Sequence, residues 1–173
     1  MNNRGFTILE TLIALAILGI LAAIAIPMYM NSQDRAKQAR TMADIRTIGA
    51  AWEARAAEVK AYNAAGKAAK FTLPTVDVGP SDLSAILSPT FVKQVPATDG
   101  WGHDLEFYLE RAIGSSSPAE VYAIRSSGRS AALDKKKAKG TTYKEGATTN
   151  FDCDIIYSNG SFIVYPAGKQ DTK

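Results

Sequence analysis

A chain of 173 residues with a formal charge of +3 has the length of one domain plus an extension, and a charge this small gives no argument for nucleic acid. Hydrophobic residues make up 46% and charged residues 21%, the average of an ordinary globular protein. The lone cysteine, Cys153, excludes an internal disulfide and reads as a buried, inert thiol, with an intermolecular bridge as the alternative.

Apolar density and charge are unevenly placed along the chain. Between Thr11 and Met30 no side chain is charged, and the run from Phe6 to Met30 is rich in Leu, Ile and Ala, with good helix propensity. As a helix it spans roughly 37 Å, enough to cross a hydrocarbon core of about 30 Å. Arg4, just before the run, places the N-terminus in the cytoplasm, whereas Arg35, Lys37 and Arg40 after it oppose that bias. A secretory signal would be cut after its apolar run, and Ala22-Ala23-Ile24-Ala25 imitates such a site. The run is too long for a usual signal core, and it carries a carboxylate, Glu10, near its start. A carboxylate in a spanning helix costs about 2.5–3.5 kcal/mol on insertion scales. Either Glu10 reaches toward headgroups, or it finds a cationic partner in an assembly of such helices. A cut between Gly5 and Phe6 would free an amine at Phe6 to be that partner.

The segment Gly5-Phe6-Thr7-Ile8-Leu9-Glu10, followed directly by the apolar run, resembles the prepilin start of type IV pilins and type II secretion pseudopilins. The resemblance implies a leader at residues 1–5, cut after Gly5 by a prepilin peptidase that then methylates the Phe6 amine. It implies a membrane and assembly half at 6–30, an extracytoplasmic domain at 31–173, and Glu10 as the glutamate that guides polymerisation. Gly19 and Pro27 lie where the family tends to have helix breakers. Pro27 removes a backbone donor and is expected to kink or locally melt the helix. The implied partners are other copies through the N-terminal helices, the peptidase, an inner-membrane assembly platform, minor pilins or pseudopilins, and membrane lipid before assembly. The implied location is the bacterial inner membrane, single-pass, and then a periplasmic pseudopilus or a cell-surface pilus.

After Pro27 the pattern becomes amphipathic. Gln38, Met42, Ile45, Ile48, Trp52, Ala56 and Val59 recur at spacings of three or four and form one stripe. One long helix is therefore expected from about Phe6 to about Ala64, bent near Pro27 and closed by Gly66, with Trp52 in the core. Phe71 to Pro96 reads as a connection, since Pro74, Gly79, Pro80, Pro89 and Pro96 forbid a long regular element, with a short helix at Asp82–Leu87. Asp99-Gly100-Trp101-Gly102 is a turn feeding a strand at Leu105–Leu109, and a second strand follows at Val121–Ser126. Asp154–Tyr157 and Phe162–Tyr165 flank Asn159-Gly160, the pattern of a tight hairpin. The expected fold is α+β: a long N-terminal helix packed on a small antiparallel sheet.

Val95 to Gly102, Phe107-Tyr108 and Asp154 to Gly160 resemble the corresponding segments of the major pseudopilin. That branch usually carries an acidic calcium loop after the second strand. Here Asp134, Asp152 and Asp154 are the weak candidate ligands, and Arg129 with Lys135-Lys136-Lys137 and Lys139 opposes them. Major pilins of Gram-negative bacteria usually carry a C-terminal disulfide, which Cys153 alone cannot form. His103, beside Asp104, lacks an accompanying nucleophile motif and reads as a turn cap, and the lysine run reads as a solvated loop. The expected function is a structural, non-enzymatic subunit of a pseudopilus. An extracellular pilus for adhesion, motility or DNA uptake is the alternative, and a lone membrane-anchored binding module is a distant third.

Overall fold

The computed structural model describes residues 6–59, 70–72, 74–113, 115, 119, 121–131, 140 and 142–171. The chain divides into two compact units, Met1–Arg35 and Ala36–Lys173. Helix α1, Ile8–Val59, is continuous through Gly19 and Pro27. The expected end near Ala64 and the Gly66 cap lie outside the described residues.

In the second unit α1 presents the stripe read from the sequence. Ile45 and Ile48 are fully buried, and Ala51, Trp52 and Ala56 nearly so. Ile45, Ile48, Ala51 and Trp52 pack against strands β3 (Glu106–Leu109), β4 (Tyr122–Ser126) and β7 (Ile155–Ser158), through Phe107, Leu109, Tyr122, Ile124, Ile155 and Tyr157. The Trp52 and Tyr122 rings lie 4.7 Å apart, and each fully buried aliphatic side chain contributes roughly 1.5–3 kcal/mol relative to exposure. Helix α2, Pro80–Leu87, starts with Pro80 in its first turn and adds Leu83 and Leu87 to the same core.

The sheet is larger than expected and mixed rather than purely antiparallel. In the remaining strands, β1 is Lys70–Thr72, β2 Val76–Val78, β5 Thr142–Lys144, β6 Gly146–Asn150 and β8 Ser161–Asp171. Six strands run in the order β2-β3-β4-β7-β8-β6, and β1 pairs with β5 in a separate two-stranded ribbon. β6 lies parallel to β8, with Gly146 opposite Val164. The segment read as a mere connection supplies β2, which pairs antiparallel with β3. The hairpin is where it was expected: Asn159 at φ 46° and Gly160 at φ 86° turn β7 into β8, whose strand runs six residues beyond the expected Tyr165 to Asp171.

Two glycines allow close approach. A Cβ at Gly49 would overlap the Tyr157 ring, and one at Gly100 would overlap the Lys37 backbone, so the Asp99–Gly102 turn sits directly on α1. Gly100 N–H donates to Thr41 Oγ1 at 2.8 Å, and Thr41 Oγ1 donates to the Lys37 carbonyl at 3.0 Å. That turn ties the entry to β3 to the helix.

Candidate assembly site

Every side chain from Phe6 to Met30 is exposed, including Phe6, Leu12, Leu18 and Ile24. The described residues contain one helix long and apolar enough to cross a membrane, and it is this one. At its start Thr7 takes the N-cap position. Thr7 Oγ1 accepts from Glu10 N–H at 3.2 Å, while Thr7 N–H and Oγ1 donate to Glu10 Oε2 at 3.1 and 3.0 Å. This is a reciprocal capping box, which satisfies backbone donors that the first helical turn leaves without partners. Glu10 is thus held by its own chain at Oε2. The Thr-x-x-Glu spacing that signals the box was present in the sequence. Gly5 lies outside the described residues, so the Gly5–Phe6 junction has no structural description. Around Gly19 a Cβ would meet nothing within 4 Å. Gln33 Nε2 donates to Tyr29 Oη at 2.8 Å, where the apolar run gives way to polar chain.

The domain unit holds the other candidate residues. His103 pairs with Asp99, four residues before it, rather than with neighbouring Asp104: its N–H donates to Asp99 Oδ1 at 3.0 Å, and its Nδ1 lies 2.9 Å from the Gly128 carbonyl. Asp99, almost fully buried, also accepts from Trp101 N–H at 2.9 Å and Ser126 Oγ at 2.8 Å. His103 therefore belongs to a turn, as expected. Cys153 is half-buried rather than buried, because it sits in the turn between β6 and β7 at the surface of the core.

A buried charged centre with no signal in the sequence lies on the sheet face away from α1. Arg125, fully buried in β4, donates from Nε to Asp154 Oδ2 at 2.7 Å, from Nη2 to Asp154 Oδ1 at 3.2 Å and from Nη1 to Glu106 Oε2 at 2.6 Å. Tyr143 Oη donates to Asp154 Oδ2 at 2.8 Å, and Tyr108 Oη donates to Glu106 Oε2. Burial opposes the Arg125 charge, but the bonds and charges of Asp154 and Glu106 outweigh it and hold the guanidinium above its ordinary value. Burial, followed by the hydrogen bond to Glu106, pushes the Tyr108 phenol up. Asp152 is gripped by Arg129, Nε to Oδ1 at 2.9 Å and Nη2 to Oδ2 at 3.1 Å. Asp134 lies outside the described residues.

Comparison with known proteins starts at the apolar helix: a family model for the prokaryotic N-terminal methylation motif matches residues 1–26. The chain is also 30% identical over 135 residues to a type II secretion system core protein G of Pseudomonas aeruginosa, covering 77% of this chain and 90% of that protein. The chain belongs to the type IV pilin and pseudopilin family. Its members are structural filament subunits, and the long helix with its mixed sheet is their α+β fold. A fimbrial protein of Pseudomonas aeruginosa is 31% identical over 121 residues, covering 69% of this chain and 73% of that protein. The type IV major pilin protein PilA of Myxococcus xanthus is 47% identical over 47 residues, covering 27% of this chain and 21% of that protein. No solved structure matches the chain. Pilin-family resemblance therefore extends from the N-terminal motif into the domain.

Proposed function

We propose that this pilin-family subunit is made as a precursor, cut between Gly5 and Phe6, methylated at the Phe6 amine, and polymerised into a pseudopilus of the type II secretion kind. The observation that carries this reading is the fully exposed apolar helix that begins beside Phe6 and holds one carboxylate, Glu10, four residues on. In the bilayer that surface faces lipid. In a filament outside the membrane it needs other copies to cover it. Glu10, already satisfied at Oε2 by Thr7, keeps acceptor capacity for the Phe6 amine of a neighbouring subunit. The chain anchors by one span with its domain outside the cytoplasm. It works with a prepilin peptidase, an inner-membrane assembly platform and minor subunits, and its role is structural rather than catalytic.

Similarity to core protein G over most of both chains supports the pseudopilus. Similarity to a fimbrial protein, also beyond the N-terminal motif, favours the second reading, an extracellular pilus. Imaging the producing cells and identifying the subunit of any filament by mass spectrometry separates the two. Short periplasmic filaments whose loss blocks secretion support the first reading. Long surface filaments of this subunit with intact secretion support the second. Absence of any filament containing it contradicts both.

A further inference from the structure

Membership of a family whose major pseudopilins usually carry an acidic calcium loop raises the question of whether this domain's carboxylates fit a calcium ion. Calcium takes six to eight oxygens at about 2.3–2.6 Å, several of them charged. Asp152 and Asp154, the two described candidates, already have both carboxylate oxygens engaged by guanidinium forks: Arg129 on Asp152, and Arg125 on Asp154. An ion on either carboxylate would displace a bidentate arginine and then sit beside its charge. Among the described residues no three Asp, Glu, His or Cys side chains gather to hold a metal. The donor set among the described residues does not fit calcium.

We propose that Arg125 and Arg129 are the fixed cations of this region, doing for its carboxylates what a bound calcium ion would do, so that the domain folds independently of calcium. The two arginines lie four residues apart, at the end of β4 and just beyond it, and their partners lie two apart, just before β7. Together they clamp both ends of the excursion from β4 to β7. Backbone contacts complete the clamp. Arg129 N–H donates to the Phe151 carbonyl at 2.9 Å, and the Arg129 guanidinium lies 5.8 Å from the Phe151 ring centre. Gly128, at φ 68°, has no room for a Cβ against the Phe151 and Cys153 carbonyls, so the two segments are in backbone contact. A guanidinium suits this role because its planar fork matches a carboxylate at both oxygens and stays charged when buried.

The inference rests on the family reading only for the expectation of calcium, and its test does not depend on filament formation. Thermal melts of the full chain in detergent micelles, in millimolar calcium and in chelator, are expected to superimpose. Arg129→Gln is expected to lower the midpoint by about 3–6 °C in either buffer, and adding Asp152→Asn should recover part of that loss, since the orphaned carboxylate is then gone. A wild-type midpoint several degrees higher in calcium, or an Arg129→Gln chain that melts with the wild type, would overturn it.

Discussion

Glu10 is the one carboxylate in the exposed apolar half of α1. Glu10→Leu removes an insertion cost of about 2.5–3.5 kcal/mol, so membrane insertion should be at least as good as in the wild type. Polymerisation should nevertheless fall well below wild type, because no carboxylate remains for a neighbour's amine. Membrane fractionation alongside a filament-shearing assay reads both effects, and a normal filament yield would contradict the pairing. Asp99 carries a second prediction. Its buried carboxylate satisfies two backbone N–H groups and Ser126 Oγ, so Asp99→Ala should cost about 2–4 kcal/mol in thermal or denaturant unfolding. How far such residues were legible depended on sequence distance. Glu10 stood out as a carboxylate in an apolar run, and Asn159-Gly160 as a turn. Arg125 did not, because its partners Glu106 and Asp154 are 19 and 29 residues away and only the folded sheet brings them to one point.

At the scale of elements, the helix stripe was readable because α1 buries one face and leaves the others outside, which is what a spacing of three and four encodes. Strands β4 and β7, buried on both faces and without alternation, are legible because each opens on a short apolar run, Tyr122–Ile124 and Ile155–Tyr157. Strands β1, β5 and β6 were not found. They are short and rich in Thr, Lys or Gly, and they present no apolar face of their own. The parallel β6–β8 pair was invisible for the further reason that the whole of β7 separates its partners in sequence. Packing between α1 and the sheet gives a prediction that local propensity alone would get wrong. Ala is favoured over Gly in a helix interior by about 1 kcal/mol, yet Gly49→Ala should destabilise by about 1–2 kcal/mol, because the added methyl meets the Tyr157 ring. Gly19→Ala, where nothing lies within 4 Å, should leave the domain's melting midpoint unchanged.

The whole molecule combines an exposed apolar helix with a domain in which Arg125 and Arg129 are paired with Glu106, Asp152 and Asp154. Its pH dependence at the alkaline end follows from two tyrosines. Burial first, then Glu106, raises the Tyr108 phenol; burial first, then the Glu53 charge, raises that of Tyr157. A raised folded value means that the folded state holds the proton more tightly. That stability is fully present below the ordinary tyrosine value of about 10 and is lost as pH rises from there through the folded values. The melting midpoint should therefore fall above about pH 10, and Tyr108→Phe should flatten the fall. An unchanged midpoint across that range would contradict the burial argument. Whether a cut precursor becomes the filament subunit is read from the intact mass and N-terminal sequence of the subunit in purified filaments. The expected chain begins at Phe6 with one methyl group on its amine. Assembled subunits that keep residues 1–5, or that begin after the small-residue run Ala22–Ala25, would contradict it.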